Sequence, residues 1–152
     1  MIMPKQDLDR ARFGQLVISV ARLWRRAADK ALDDCGLSHA TAMPLVMLSR
    51  LGDNQRQGVL ADHLGFEGPS LVRIVDLLVE EGLVTRTEDA ADRRAKILSL
   101  TDAGRSRVTE IERLLAVLRA DLLSDVGDAE LSGAMLLLGR LEAKLSRPDT
   151  GE

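Results

Sequence analysis

Two short strings of this 152-residue chain carry cations at a spacing that suits a polyanion. Pro69-Ser70-Leu71-Val72-Arg73 sets a hydroxyl ahead of a guanidinium, and Asp92-Arg93-Arg94-Ala95-Lys96 gathers cations beside a carboxylate. A guanidinium can bond a guanine edge or a phosphate through two parallel N–H groups, whereas an ammonium meets phosphate as a point charge. The other reactive side chains are scattered. Cys35 is the lone cysteine, which rules out an intramolecular disulfide, and the two histidines, His39 and His63, stand far from any cluster of ligand type. A structural zinc site is thereby excluded. No phosphate loop and no Ser/His/Asp or Cys/His arrangement that helical periodicity would bring together is present, so neither an enzyme nor a cofactor is expected.

The elements that hold these strings follow from periodicity. Leu8, Phe13, Leu16, Val17, Val20, Leu23, Trp24, Ala27 and Ala31 form one broad stripe, which predicts a first helix over about residues 7–34. A second, over 39–51, contains Pro44, which bends it or shifts its start. Residues 56–64 and 69–81 read as short helices joined by Gly65-Phe66-Glu67-Gly68, a helix-turn-helix, with Pro69 where a first helical position tolerates it. Gly36, Gly52, Gly65 and Gly82 fall at the ends of helical patterns, where left-handed backbone is wanted. The period then alternates, so residues 83–87 and 96–100 read as strands of a β-hairpin around the charged loop 88–94. Thr101 caps a helix with Ile111, Leu114, Leu115, Leu118 and Leu122 on its apolar face. Asp128 reads as the N-cap of a last helix bearing Leu131, Met135, Leu138, Leu141 and Leu145.

A helix-turn-helix followed by a hairpin is a winged helix. The expected fold class is therefore mainly α with a small β-hairpin wing. Residues 37–101 form the winged lobe, 1–35 and 102–147 a discontinuous set of dimerisation helices, and 148–152 a frayed tail. Three long apolar stripes exceed what a monomer of this size covers, which implies a homodimer.

Composition removes other classes. Aromatic residues make up 2% of the chain, with no Tyr, so recognition by stacking bases on aromatic platforms is not expected. The longest charge-free run, residues 35–49, is too short and polar for a bilayer, and residues 1–12 lack the apolar stretch of a signal peptide. A cytoplasmic protein with no membrane partner is expected.

Gly65 to Arg73, then Leu77-Leu78-Val79-Glu80-Glu81-Gly82-Leu83-Val84, Asp92-Arg93-Arg94-Ala95-Lys96 and Leu98-Ser99-Leu100-Thr101-Asp102-Ala103-Gly104, resemble the MarR family of transcription regulators, most of all its SlyA-like branch. The resemblance covers nearly the whole chain and implies a dimeric, double-stranded-DNA-binding repressor on a pseudo-palindromic operator. On the helix that begins near Pro69, the acids Asp76, Glu80 and Glu81 occupy the second half, so the N-terminal half is the end that enters the major groove. Arg73 is the candidate for base readout, with Ser70 on a phosphate or base edge. By the same resemblance Arg94 enters the minor groove, Asp92 supports the wing by accepting from an arginine, and Arg93 and Lys96 meet phosphates. Arg50, Arg56, Gln57 and Arg86 add backbone contacts.

The resemblance further implies a small aromatic, carboxylate or amphipathic effector that releases DNA by favouring a lobe separation unsuited to the groove spacing. Its crevice would be lined by Leu16, Val20, Leu23 and Trp24 from the first helix and Ala42, Met43, Val46 and Met47 from the second, with Arg25 or its neighbours pairing a carboxylate. Two alternatives are a winged helix used only for protein association, which has no general need of an arginine-bearing wing, and a regulator sensing redox through Cys35. Asp33 and Asp34 beside Cys35 disfavour the thiolate that sensing needs.

The net charge of −3 opposes DNA binding only in total. Residues 1–35 carry +2, 50–107 carry −1 and 108–152 carry −4, so the excess acid lies in the C-terminal helices. Modest non-specific affinity, resting on a few arginines, is expected.

Overall fold

The computed structural model describes residues 5–146. The expected frayed tail lies outside them. Six helices run α1 (Lys5–Leu32), α2 (His39–Leu51), α3 (Gln57–Leu64), α4 (Gly68–Glu80), α5 (Asp102–Leu122) and α6 (Asp128–Leu145), with strands β1 (Gln55–Arg56), β2 (Val84–Glu88) and β3 (Lys96–Leu100). The chain divides into two compact units, one up to Leu118 and one from Arg119 onward. None of the described helices is long and apolar enough to cross a membrane.

Local chemistry sets most of the boundaries. Ser38 caps α2, its hydroxyl accepting from the Thr41 N–H while the Thr41 hydroxyl accepts from the Ser38 N–H. That reciprocal pair satisfies donors at the helix start, so α2 begins at His39 and runs on through buried Pro44 with no shift of its start. The first helix ends two residues earlier than expected, because Asp33–Cys35 tighten into a 3-10 turn closed by Gly36 at φ 70°. Gly127, not Asp128, is the N-cap of α6; Asp128 is its first helical residue, where a carboxylate favours the positive end of the helix dipole.

The hairpin proves to be two strands of a three-stranded antiparallel sheet in the order β1-β3-β2. Gln55 pairs with Leu98 and Arg56 with Ile97. Arg56, expected to open the third helix, is extended and precedes it. In the main hairpin the register runs from Val84 opposite Leu100 to Glu88 opposite Lys96.

One hydrophobic core joins these elements within the first unit. Leu32, Leu45, Leu48, Leu60, Leu71, Val75, Leu78, Leu98 and Ile111 are all essentially inaccessible. Among the described residues no polar or charged residue is buried with them. By contrast α1 buries only Ala28 and Leu32, and α6 buries nothing.

The start of α5 is clamped onto the end of α4 and the root of the wing. Thr101 Oγ1 donates to Gly82 O at 2.7 Å and accepts from the Gly104 N–H at 3.0 Å, while the Thr101 N–H donates to Leu83 O at 3.1 Å. A Cβ on Gly104 would stand 2.1 Å from the Leu83 carbonyl oxygen. That obstacle is backbone, which cannot rotate aside as a side chain would. Gly104→Ala is therefore expected to destabilise by about 1–3 kcal/mol, read as a fall in Tm of several degrees with α-helical circular dichroism retained; an unchanged Tm would show that the clamp yields freely.

Candidate nucleic-acid interface

The helix-turn-helix is α3 and α4. Gly65 takes φ 64°, a conformation costly for a residue with Cβ, and its N–H closes α3 onto Ala61 and Asp62. Glu67 caps α4, with Ser70 and Leu71 N–H donating to its carbonyl. Leu71, Val75 and Leu78 point inward, and the helical period then turns Ser70, Arg73 and Asp76 to solvent. Pro69, Ser70 and Arg73 line a shallow concavity of about 580 Å³ with Ile74 and Leu77.

A second concavity, about 540 Å³, lies between the start of α3 and the wing. It brings together Arg56, Gln57, Asp92, Arg94 and Lys96. Gly58 also lines this groove, and a Cβ placed on it would meet nothing within 4 Å. Gln57 Oε1 is buried there without a hydrogen-bond partner. Arg93 is exposed at the tip outside both concavities.

The wing tip is organised by two aspartates. Asp92 Oδ1 accepts from the Arg94 main-chain N–H at 3.0 Å, so its support acts through backbone and not through an arginine side chain as expected. The arginine partner belongs to Asp89, whose Oδ2 lies 2.6 Å from Arg56 Nη2 and whose Oδ1 accepts from the Ala91 N–H. The Ala91 N–H first, and the Arg56 guanidinium after it, hold the Asp89 carboxyl below its ordinary range. Asp89 escaped sequence reasoning; an aspartate two residues before Ala91 at the end of a strand is the turn signal that marks it.

Pairing sorts the cations. Arg56 is bonded to Asp89, Arg86 to Asp76, Lys96 to Glu88 and Arg50 to Glu112. The side chains of Arg73, Arg93 and Arg94 make no ion pair or hydrogen bond among the described residues.

A third cleft, about 620 Å³, is walled by α1, α2 and the α3–α4 turn. Of the residues expected there it holds Trp24, Arg25 and Met43. Leu16, Val20 and Leu23 are instead about half exposed on α1, while Val46, like Ala42, is buried in the core, and Met47 packs against it. His39, His63, Asp29 and Phe66 are also among its lining residues, and none of these four was expected. Asp29 Oδ1 accepts from the His39 N–H at 2.6 Å. Burial lowers the His39 pKa from 6.5, Asp29 opposes that shift and Arg25 adds to it. Cys35, half-buried, donates its S–H to Leu32 O at 3.1 Å.

Helix-turn-helix, three-stranded sheet and wing together define a winged-helix protein. Residues 36–95 match the family model described as the MarR family. The solved transcriptional regulator PA3341 is similar at 38% identity, with 88% of this chain and 97% of that one covered and a TM-score of 0.79. A mutant MarR from E. coli complexed with operator DNA shares the fold at 22% identity, 88% and 95% coverage and TM-score 0.78. CouR from Rhodococcus jostii RHA1 bound to p-coumaroyl-CoA does so at 23% identity, 92% and 95% coverage and TM-score 0.76. The chain belongs to the MarR family of transcription regulators.

Because the folded chain holds His39 less readily protonated than the unfolded chain, the unfolded state takes up more protons below pH 6.5. Stability contributed by neutral His39 is full above that value and is lost progressively as pH falls below it and through the lower pKa of the folded state. Thermal melts between about pH 7.5 and 5.5 should show Tm falling with pH and the fall shallower in His39→Gln; parallel curves for the two proteins would remove His39 from the effect.

Proposed function

We propose that this chain is a sequence-specific duplex-DNA-binding repressor that acts as a homodimer on a pseudo-palindromic operator and is released by a small amphipathic ligand bearing an aromatic ring and a carboxylate. One observation carries the DNA reading. Among the described residues of the winged lobe, the unpaired guanidinia are Arg73 on the exposed, acid-free half of α4 and Arg93 and Arg94 at the wing tip, while neighbouring cations are bonded within the chain. An unpaired guanidinium meets DNA without first breaking an ion pair. Arg73 then reads a base in the major groove and Arg94 the minor groove, with Ser70, Pro69, Gln57, Arg93 and Lys96 positioning the backbone. The similarly folded E. coli MarR is complexed with operator DNA, which supports a duplex partner.

The dimer is supported by apolar surface that the monomer leaves uncovered. Ile18, Leu16, Val20 and Leu23 on α1 and Met135, Leu136 and Leu138 on α6 are each about half or more exposed. Burying a leucine is worth about 1.5–3 kcal/mol, so a handful of these suffices to hold a partner copy.

In the cleft, Trp24, Met43 and Phe66 offer an apolar bed and Arg25 a cation for a carboxylate, which supports an amphipathic effector. The similarly folded CouR is bound to p-coumaroyl-CoA, which supports a ligand-binding role for a cleft in this fold.

Selection from a random duplex library tests the DNA assignment. Arg73→Ala is expected to lose about 1–3 kcal/mol of discrimination at one defined position of each half-site, whereas Arg94→Ala loses affinity at all sites with the sedimentation coefficient of the dimer unchanged. Unaltered base preference in the first variant, or near-normal affinity in the second at fixed salt, would defeat the role given to that arginine. For the effector, a panel of aromatic carboxylates should contain members that raise Tm and release DNA, and Arg25→Ala should abolish both responses; a panel silent in both assays would leave an unliganded regulator.

A further inference from the structure

Asp76 poses a difficulty for any DNA-reading role of α4, and the structure contains its answer. It projects from the same exposed side of the helix as Arg73, one turn further on, with its side chain about half exposed. A free carboxylate there would face incoming phosphates and oppose docking. It is not free: Arg86 Nη1, reaching across from β2, lies 2.5 Å from Asp76 Oδ1. The arginine is the more covered partner, its side chain 31% exposed against 53% for the aspartate.

We infer that Arg86 is a positioning residue for DNA recognition, acting through Asp76: it cancels the carboxylate of α4 that stands nearest Arg73 along the helix and fixes the first wing strand to that helix, and it is not itself a phosphate clamp. The inference rests on the DNA-binding reading above. Its basis is geometric, since a guanidinium committed to Asp76 has fewer N–H groups left for phosphate, and replacing the internal bond by an external one would uncover the acid again. An exposed ion pair of this kind adds little to folding stability. Its effect is expected where a polyanion approaches, and it is screened by salt over a Debye length of about 8–10 Å.

The experiment is a double-mutant cycle on the full-length protein, with a duplex recovered by wild-type selection as probe, titrated at low and moderate salt, and Tm measured for each variant. Arg86→Ala is expected to weaken binding about five- to tenfold at low salt and less at higher salt, with little change in Tm. Asp76→Asn alone is expected to bind as well as wild type or better, and Asp76→Asn with Arg86→Ala to return within about twofold of wild type. A double variant as weak as Arg86→Ala would overturn the inference in favour of a direct phosphate contact, and an Arg86→Ala loss that follows a large fall in Tm would overturn it in favour of a merely structural bond. Arg86→Lys should keep most of the affinity, because charge is the property required. If wild type itself selects no duplex, the DNA-binding reading fails; if wild type binds and the cycle does not close as described, only the role of Arg86 fails.

Discussion

The contact that most of the lobe depends on is the approach of Gly104 to the Leu83 carbonyl. Three features meet there: the turn at Gly82 that follows α4, Leu83 just before β2, and the first turn of α5. Thr101 bonds to two of them at once. Without a side chain at position 104 the helix can sit close enough for Val108 and Ile111 to reach the core that Leu71, Val75 and Leu78 fill from α4. Wing and α4 are thereby tied through backbone hydrogen bonds at the wing's root, beside the buried side chains of Leu83 and Leu100. Side-chain ion pairs then refine the exposed end, where each alone is weak. That division explains how a hairpin of five-residue strands presents a tip in one orientation: its base is set by main chain, its flank by Arg86 and Asp76, and its tip by Asp89 and Asp92.

Net charge is a poor guide to such a molecule, because acids and bases are paired off unequally. The winged lobe holds slightly more acids than bases, yet Asp76, Glu88 and Asp89 each neutralise a cation of the same surface. What remains among the described residues of the lobe is a small set of unpaired guanidinia at the two places where a winged helix meets a duplex. On the proposed DNA reading, electrostatic steering by the whole chain would be correspondingly weak, and discrimination would fall on a few short-range contacts.

Elements with strong local signals were legible in the sequence, and those set by distant partners were not. Residues 39–51 and 96–100 read correctly at both ends, since Ser38 with Thr41, and the alternation leading to Thr101, are written locally. β1 was illegible because two residues have no periodicity; it exists only because Gln55 and Arg56 meet the free edge of β3. Asp92 and Asp89 were exchanged as partners of an arginine for a similar reason. The choice depends on where Arg56 lies, and that follows from β1. On α1 the expected stripe ends on Ala27 and Ala31, and four of its members were expected together in one crevice, but the apolar residues wrap too far round the helix to serve one neighbour. Ala28 and Leu32 enter the core and Trp24 turns to the cleft, while Leu16, Val20 and Leu23 face outward.

The cleft and α4 share one short segment, and this constrains how an occupant of the first could influence the second. Leu64 and Phe66 line the cleft, and the Phe66 N–H is bonded to Ala61 O at the end of α3; the next residue, Glu67, caps α4. A molecule seated against Phe66 would thus press on the turn that sets where α4 begins. Tight binding alone would change nothing, because a ligand shifts an equilibrium only by its preference between the two arrangements. A tenfold preference corresponds to about 1.4 kcal/mol, comparable to one hydrogen bond at that turn. The turn is short, and its two glycines leave it few side-chain contacts to resist such a shift. On the proposed reading, small differences in how Phe66 packs would therefore be of the right size to alter DNA affinity, with no need for the core of the lobe to move.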